Sequence, residues 1–382
     1  MKKKKICIIT SSRAEYGILK KLIIDLKRSK VFVANLIVTG THLSSKYGNT
    51  FRNIEDDGLN IDYKIKINLN KTDKFSIVQD MSQYLNKFSM AFKKINPNLI
   101  IILGDRYEIL CAAIAANIIR IPIAHIHGGE KTLGSYDEHM RHAITKLSNM
   151  HFVSTAKYKT RVIQMGESPT SVFNVGSLGV ENLVNTKKNN EFSKKIFNFK
   201  LKRKKILISY HSLTIDIKKG RKDLDSLLNF LKKLKDTSII FSYPNHDVDS
   251  DYIIDKIKNF VKRNKNSILF KSFGQENYYQ CLKNFDCIIG NSSSGIIEAP
   301  SAKIPTINIG DRQTGRIMPK SVFNINMKRN RILNVLRKIY RLKKTNKISF
   351  FNPYYKNQTS QQIIKNLSKI NLKKSFFDLK KI

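Results

Sequence analysis

Short apolar runs alternate with helical patterns along almost the whole chain, and this rhythm narrows the fold more than any other property. Ile6-Cys7-Ile8-Ile9 precedes residues 15–28, where Leu19, Leu22, Ile23 and Leu26 recur at the spacing of one helix face. Leu99-Ile100-Ile101-Ile102-Leu103 is continuously apolar, as a parallel strand covered on both faces must be. Residues 31–38, 61–67, 122–126, 151–154 and 171–175 read as further strands. Residues 75–95 read as a helix that ends before Asn96-Pro97. Residues 185–205 are polar and lysine-rich, which predicts a linker with some helix. The rhythm then restarts with strands at 206–210, 238–243, 268–270, 287–289 and 305–309, and helices at 223–234, 252–261 and 278–282. The expected fold class is α/β, with two Rossmann-like, doubly wound parallel sheets. Such sheets bind ligands at the carboxyl ends of their strands, here facing a shared cleft.

At 382 residues the chain exceeds what one core organises. Its 41% hydrophobic content is that of a globular protein and excludes collagen-like and disordered classes. No apolar run approaches the ~18 residues of a spanning helix. The lysines at positions 2–5 followed by Ile6 imitate a signal peptide. The apolar stretch is too short, however, and Thr10-Ser11-Ser12-Arg13 follows at once, so a first strand is expected. Cys7, Cys111, Cys281 and Cys287 form no Cys-x-x-Cys pair or zinc spacing, which predicts buried, reduced thiols in a cytoplasmic protein.

Lys and Arg number 70 against 29 Asp and Glu, a formal charge of +41. That balance raises a nucleic-acid-binding reading, which predicts basic residues on one face with interleaved aromatics. The lysines are instead scattered. Abundant Lys, Asn and Ile together are what A/T-rich codons encode, so compositional drift competes with selected charge. No membrane partner is expected.

Uncommon polar clusters fall at the strand ends. Ser11-Ser12-Arg13-Ala14-Glu15 follows the first strand and opens a helix, where backbone N–H groups and an arginine fork suit a phosphate. An ordinary N-cap is the competing reading. Gly104-Asp105-Arg106-Tyr107-Glu108 follows the most apolar strand; Asp105 is either a helix cap or a carboxylate at a cleft edge, with Arg106 binding an anion. The densest cluster gathers His125, His127, Glu130, Asp137, Glu138, His139, Arg141 and His142 around Gly128-Gly129. Acid and base catalysis by carboxylate and imidazole is the preferred reading, beside a metal site or histidines packed in a core. Gly290-Asn291-Ser292-Ser293-Ser294-Gly295 makes a second anion cradle, with Glu298 expected one turn inside the following helix to accept a sugar diol. Neither G-x-G-x-x-G nor G-x-x-x-x-G-K-[ST] occurs, and the G-x-S-x-G nucleophile elbow is missing.

Taken in order, these blocks resemble the hydrolysing UDP-N-acetylglucosamine 2-epimerases of sialic and other nonulosonic acid synthesis. The matching positions include residues 12–17, Gly40-Thr41-His42-Leu43-Ser44, 104–108, 125–130, 137–146, Pro244-Asn245-His246-Asp247 and 290–300. The resemblance implies a GT-B fold with no metal and no dinucleotide cofactor. Its first domain spans residues 1–185, joined by a C-terminal helix within 357–382, and its second spans 186–350. It implies anti elimination of UDP through a 2-acetamidoglucal, then hydration to N-acetylmannosamine, in a cytoplasmic homo-oligomer. Asp105, Glu130 and Asp137 are then the catalytic carboxylates, supported by His127 and Arg141. Arg13, Arg106, His211, Asn245, Ser292, Ser293 and Ser294 contact UDP, and Glu298 takes the ribose. Non-hydrolysing relatives carry Glu where His127 stands and Lys where Ile18 stands, which favours the hydrolysing branch. The alternative substrate is a nucleotide-linked 2,4-diacetamido-2,4,6-trideoxy sugar.

Overall fold

The computed structural model describes residues 3–69, 72–192, 197, 201–327, 332–368 and 374–379. It divides into two compact units, one of Met1–Glu130, Tyr136–Asn182 and Tyr354–Ile382, the other of Lys131–Ser135 and Leu183–Pro353.

In the first unit, strands β1 (Lys4–Thr10), β2 (Phe32–Val38), β3 (Tyr63–Lys64), β4 (Leu99–Leu103), β5 (Ile123–Ile126), β6 (Met150–Val153) and β7 (Val172–Asn174) form a parallel sheet. Its order is β3-β2-β1-β4-β5-β6-β7. The apolar run of β4 is buried at every residue because β1 and β5 flank it and helices cover both faces. Helix α1 (Arg13–Lys27) turns Leu19, Leu22, Ile23 and Leu26 onto Ile6, Ile8 and Leu36, as its spacing predicts. The expected strand at 61–67 shrinks to β3, a sheet edge.

After helices α2 (Phe51–Asp56), α3 (Lys74–Ile95), α4 (Tyr107–Ile118), α5 (Asp137–Leu147), α6 (Ala156–Gln164) and α7 (Leu178–Asn185), the second unit begins. Its strands β8 (Lys204–Ser209), β9 (Thr237–Ser242), β10 (Ser267–Phe270), β11 (Cys287–Gly290), β12 (Thr306–Ile309) and β13 (Val322–Ile325) are again parallel. The order is β10-β9-β8-β11-β12-β13. Residues 193–196 and 198–200 of the expected linker lie outside the described residues. Phe192 and Phe197, within that stretch, are buried against Phe285, so this part of it is anchored in the core.

In each sheet the chain order reverses at one place, between β1 and β4 and between β8 and β11. The crevice beyond the strand ends there is where a doubly wound sheet binds its ligand. The chain returns to the first unit through α13 (Thr359–Leu367; α8 to α12 are Ile217–Leu231, Ser250–Arg263, Gln275–Asn284, Ser294–Ile297 and Ile332–Lys344). Ile363 and Leu367 enter the core beside α1, and Ser360 donates to Asp25 and Glu181. Beyond it Lys374 donates to Glu167 and the Phe377 N–H to the Gly166 carbonyl. All four cysteines are buried free thiols.

Gly290, at the end of β11, has φ +147°, and a Cβ there would stand 1.9 Å from the Ser209 carbonyl oxygen on β8. Neither strand can yield without breaking the ladder. Gly290→Ala is therefore expected to destabilise the second unit by about 3 kcal/mol or more, read as a drop in its urea unfolding midpoint.

Candidate active site

The loop after β1 carries a capping motif on the residues expected to cradle an anion. Ser12 is the N-cap of α1, its hydroxyl accepting the Glu15 N–H. Glu15 reaches back and accepts the Ser11 N–H at 2.6 Å and the Ser11 hydroxyl at 2.9 Å. Arg13 is the first helical residue and stays partly exposed. Gly40, at φ +60°, lets the loop after β2 close on this one, since a Cβ would lie 2.5 Å from the Ser11 carbonyl oxygen. His42 there is buried between Thr10 and Thr50, which hydrogen-bond its two ring nitrogens.

Arg106 follows β4, and its guanidinium is committed inside the unit. Nε and one terminal nitrogen lie 3.2 Å from the two Glu108 oxygens, and Glu15 is 4.0 Å away. Asp105 does not cap α4, whose N-cap position is Arg106 with no side-chain cap bond. Its carboxylate, 24% exposed, meets the Arg141 guanidinium instead.

Arg141 is the centre of the first unit's cluster. It projects from α5 with 1% of its side chain exposed. One terminal nitrogen holds Asp105; the other donates to Glu138 Oε2 at 2.9 Å and to the Glu130 backbone carbonyl at 3.0 Å. Three segments, the loops after β4 and β5 and the first turn of α5, are thereby fixed to one cation. Asp137, buried at the first position of α5, shares that turn.

His127 lies in the loop after β5 at φ +67°, a left-handed conformation uncommon outside glycine, although histidine takes it more readily than most residues. Its N–H donates to the Phe152 carbonyl, and its Nδ1 is 3.0 Å from Glu130 Oε1, which also accepts the Ser154 hydroxyl. A carboxylate oxygen facing Nδ1 accepts, so Nδ1 is the donating nitrogen of this pair. That Nε2 is buried and meets no hydrogen-bond partner among the described residues. The other histidines do not join it: His139 is exposed and His142 pairs with Glu138. Among the described residues no three His, Cys, Asp or Glu side chains converge as metal ligands would.

In the second unit the loops after β8 and β11 lock together. The His211 N–H donates to Asn291 Oδ1 at 2.7 Å, and Asn291 Nδ2 donates to the His211 carbonyl at 2.8 Å. His211 Nδ1 accepts the Asn245 N–H. Ser292, Ser293 and Ser294 are partly exposed, and the Ser293 hydroxyl forms no cap bond. Helix α11 lasts only one turn, so Glu298 sits at its C-cap rather than inside it. The loop after β12 completes the group: Arg312 and Gln313 both donate to the Asn291 carbonyl. Lys131–Ser135 packs here too, with the Leu133 N–H bonded to the Thr314 carbonyl and the Ser135 hydroxyl 3.3 Å from Thr214.

A family model described as UDP-N-acetylglucosamine 2-epimerase matches residues 24–368. The chain belongs to that family. It is 41% identical, over 98% of both chains, to the polysialic acid biosynthesis protein P7 of Escherichia coli. It is 40% identical, over 85% of each, to a hydrolysing GDP/UDP-N,N'-diacetylbacillosamine 2-epimerase of Campylobacter jejuni. A Legionella pneumophila UDP-N,N'-diacetylbacillosamine 2-epimerase, also hydrolysing, is 33% identical over 97% of each. The fold matches that of UDP-GlcNAc 2-epimerase from Neisseria meningitidis bound to UDP-GlcNAc, at TM-score 0.78 and 18% identity over 96% of this chain and 100% of that one. It also matches the Methanocaldococcus jannaschii enzyme at TM-score 0.79 and 20% identity, over 96% and 99%. Two Rossmann-like parallel-sheet domains of GT-B type are thus the architecture of this epimerase-family chain.

Arg312 and Gln313 were not singled out by sequence reasoning, and Asn291 was read only as part of the anion cradle. The signal was present: Gly310-Asp311-Arg312 repeats the tripeptide Gly104-Asp105-Arg106, again after a buried strand and again with a left-handed glycine.

Burial pushes the Glu15 carboxyl up to about 8 from its ordinary 4.5, with the Glu108 charge adding to the rise and the Arg106 charge opposing it. The folded protein then keeps a proton that the unfolded chain releases near 4.5, so this contribution is fully present below that pH and is lost as pH rises through about 8. In Glu15→Gln the decline of the unfolding midpoint between pH 4.5 and 8 is expected to flatten relative to wild type, measured by denaturant titration across that range.

Proposed function

We propose that the chain is a hydrolysing 2-epimerase converting UDP-N-acetylglucosamine and water to N-acetylmannosamine and UDP, for sialic and related nonulosonic acid synthesis. The observation that carries this reading is the convergence of the Asp105, Glu130 and α5 segments on Arg141, beside an imidazole whose Nε2 meets no hydrogen-bond partner among the described residues. Family membership and the hydrolysing relatives support it.

The chemistry asks for this set. No carbonyl flanks the C2–H of the sugar, so its removal needs a placed base together with stabilisation of the departing diphosphate. The base takes the C2 proton, the C1–O bond breaks, and its electron pair leaves on UDP, giving a 2-acetamidoglucal. Water then adds its hydroxyl to C1 while C2 is protonated from the opposite face. Two faces call for two proton-handling stations. Asp105, held by Arg141, is one; His127, its tautomer set by Glu130, is the other, and Asp137 acts with them. His211, Asn245, Ser292, Ser293 and Ser294 are the groups proposed for the diphosphate and uridine, with Glu298 accepting the ribose hydroxyls. Arg13 adds a further phosphate contact. Arg106 acts through Glu108 and Glu15 by shaping the loop. The protons leave and return as protons, so the scheme needs no redox cofactor.

A second reading, the same reaction on a nucleotide-linked 2,4-diacetamido-2,4,6-trideoxy sugar, is favoured by the names of the Campylobacter and Legionella relatives. Incubation of each nucleotide sugar with enzyme in D2O separates the two. The preferred substrate is expected to release UDP together with a free 2-epimeric sugar carrying deuterium at C2. Release of UDP with no deuterium at C2 overturns the elimination. Asp105→Asn, Glu130→Gln and Asp137→Asn are each expected to lower kcat by ~10²–10⁴-fold with the fold intact by circular dichroism.

A further inference from the structure

His125 is the penultimate residue of β5, fully buried, and no step above uses it. Its Nε2 lies 2.7 Å from the carbonyl oxygen of Gly104, and its Nδ1 lies 3.2 Å from the Thr145 hydroxyl on α5. A carbonyl only accepts, so Nε2 carries the hydrogen and Nδ1 accepts from Thr145. Burial pushes the imidazole down to about 3, so it remains neutral in this tautomer. The ring also fills the space beside Gly128, where an added Cβ would lie 3.0 Å from the Thr145 hydroxyl oxygen and 3.1 Å from His125 Nδ1.

Each of the three contacts leads to a different part of the cluster. Gly104 has φ +80° and directly precedes Asp105. Gly128 separates His127 from Gly129-Glu130. Thr145 lies one helical turn beyond Arg141 on α5. We propose that His125 is a positioning residue, a neutral imidazole that fixes the loops carrying Asp105 and His127–Glu130 to the helix carrying Asp137 and Arg141. It holds the register among these groups from behind, where Arg141 holds it by charge. This inference rests on the proposed epimerase reaction for its kinetic consequence and on geometry alone for its structural one.

Three variants and two readouts test it. His125→Leu removes both hydrogen bonds, His125→Gln keeps a donor at the place of Nε2, and Thr145→Val removes only the partner of Nδ1. Hydrogen exchange followed by mass spectrometry reads the loops directly, whatever the substrate. His125→Leu is expected to speed exchange at residues 104–106 and 127–130, and His125→Gln to restore protection at 104–106. In turnover, His125→Leu is expected to lower kcat about 10²-fold with KM within about threefold, and His125→Gln to recover most of the loss. Should His125→Leu fail to fold, Thr145→Val carries the test, with faster exchange at 127–130 and a several-fold lower kcat. Unchanged exchange in these loops overturns the inference, as does equal loss of kcat in the Leu and Gln variants. Faster exchange in a protein whose wild type turns over neither nucleotide sugar leaves the positioning role standing and overturns the reaction instead.

Discussion

A guanidinium with 1% of its surface in water must be neutralised where it stands, and Arg141 sets the terms for the first unit. Moving such a charge out of water costs several kcal/mol, which is recovered only if its donors are satisfied and opposite charge is close. Asp105, Glu138 and the Glu130 carbonyl supply both. Because they come from the ends of β4 and β5 and from α5, satisfying one cation aligns three segments that share no local sequence. The planar fork matters here, since a lysine ammonium at this place could not hold two carboxylates and a carbonyl in fixed directions.

The second unit solves a similar problem with an amide at its centre. Asn291 occupies the place where the strand order reverses, and its amide closes a reciprocal pair with the His211 backbone while its own carbonyl takes Arg312 and Gln313. Gly290 makes this possible by letting β11 run against the Ser209 carbonyl. The exposed serines that follow are thus carried on a loop whose base is rigid. An amide can do this because it donates and accepts in one plane, which neither a carboxylate nor an ammonium does.

Much of this was legible in the chain. The rhythm of apolar runs located most strands, since burial on both faces leaves a continuous signature, as β4 shows. Strand ends were legible because polar residues directly after an apolar run have few other uses. What was hidden is tertiary. Nothing local says that the Arg106 guanidinium turns inward to Glu108, or that Asp105 leaves the cap of α4 for an arginine 36 positions away. Glu298 was expected within a helix because Gly295 to Ile297 continue a helical pattern, yet Pro300 limits that helix to one turn before a 3₁₀ segment. Phe192 and Phe197 were masked by lysines around them, and a polar average concealed two buried rings. Net charge was the least informative number: +41 describes scattered solvated lysines, whereas the groups that matter sit in buried, mutually compensated clusters.

His127 holds a left-handed backbone within the first unit's cluster. A histidine at φ +67° costs on the order of 1–3 kcal/mol relative to relaxed geometry, and the two glycines that follow do not remove that cost. In this conformation Nδ1 turns to Glu130, and Nε2 meets no hydrogen-bond partner among the described residues. An imidazole can both accept and donate a proton, one at each ring nitrogen. In the proposed reaction the second stage needs both acts, withdrawing a proton from water and delivering one to C2. In the proposed reaction His127 is therefore suited to that stage, and its backbone geometry fixes the direction in which the ring acts.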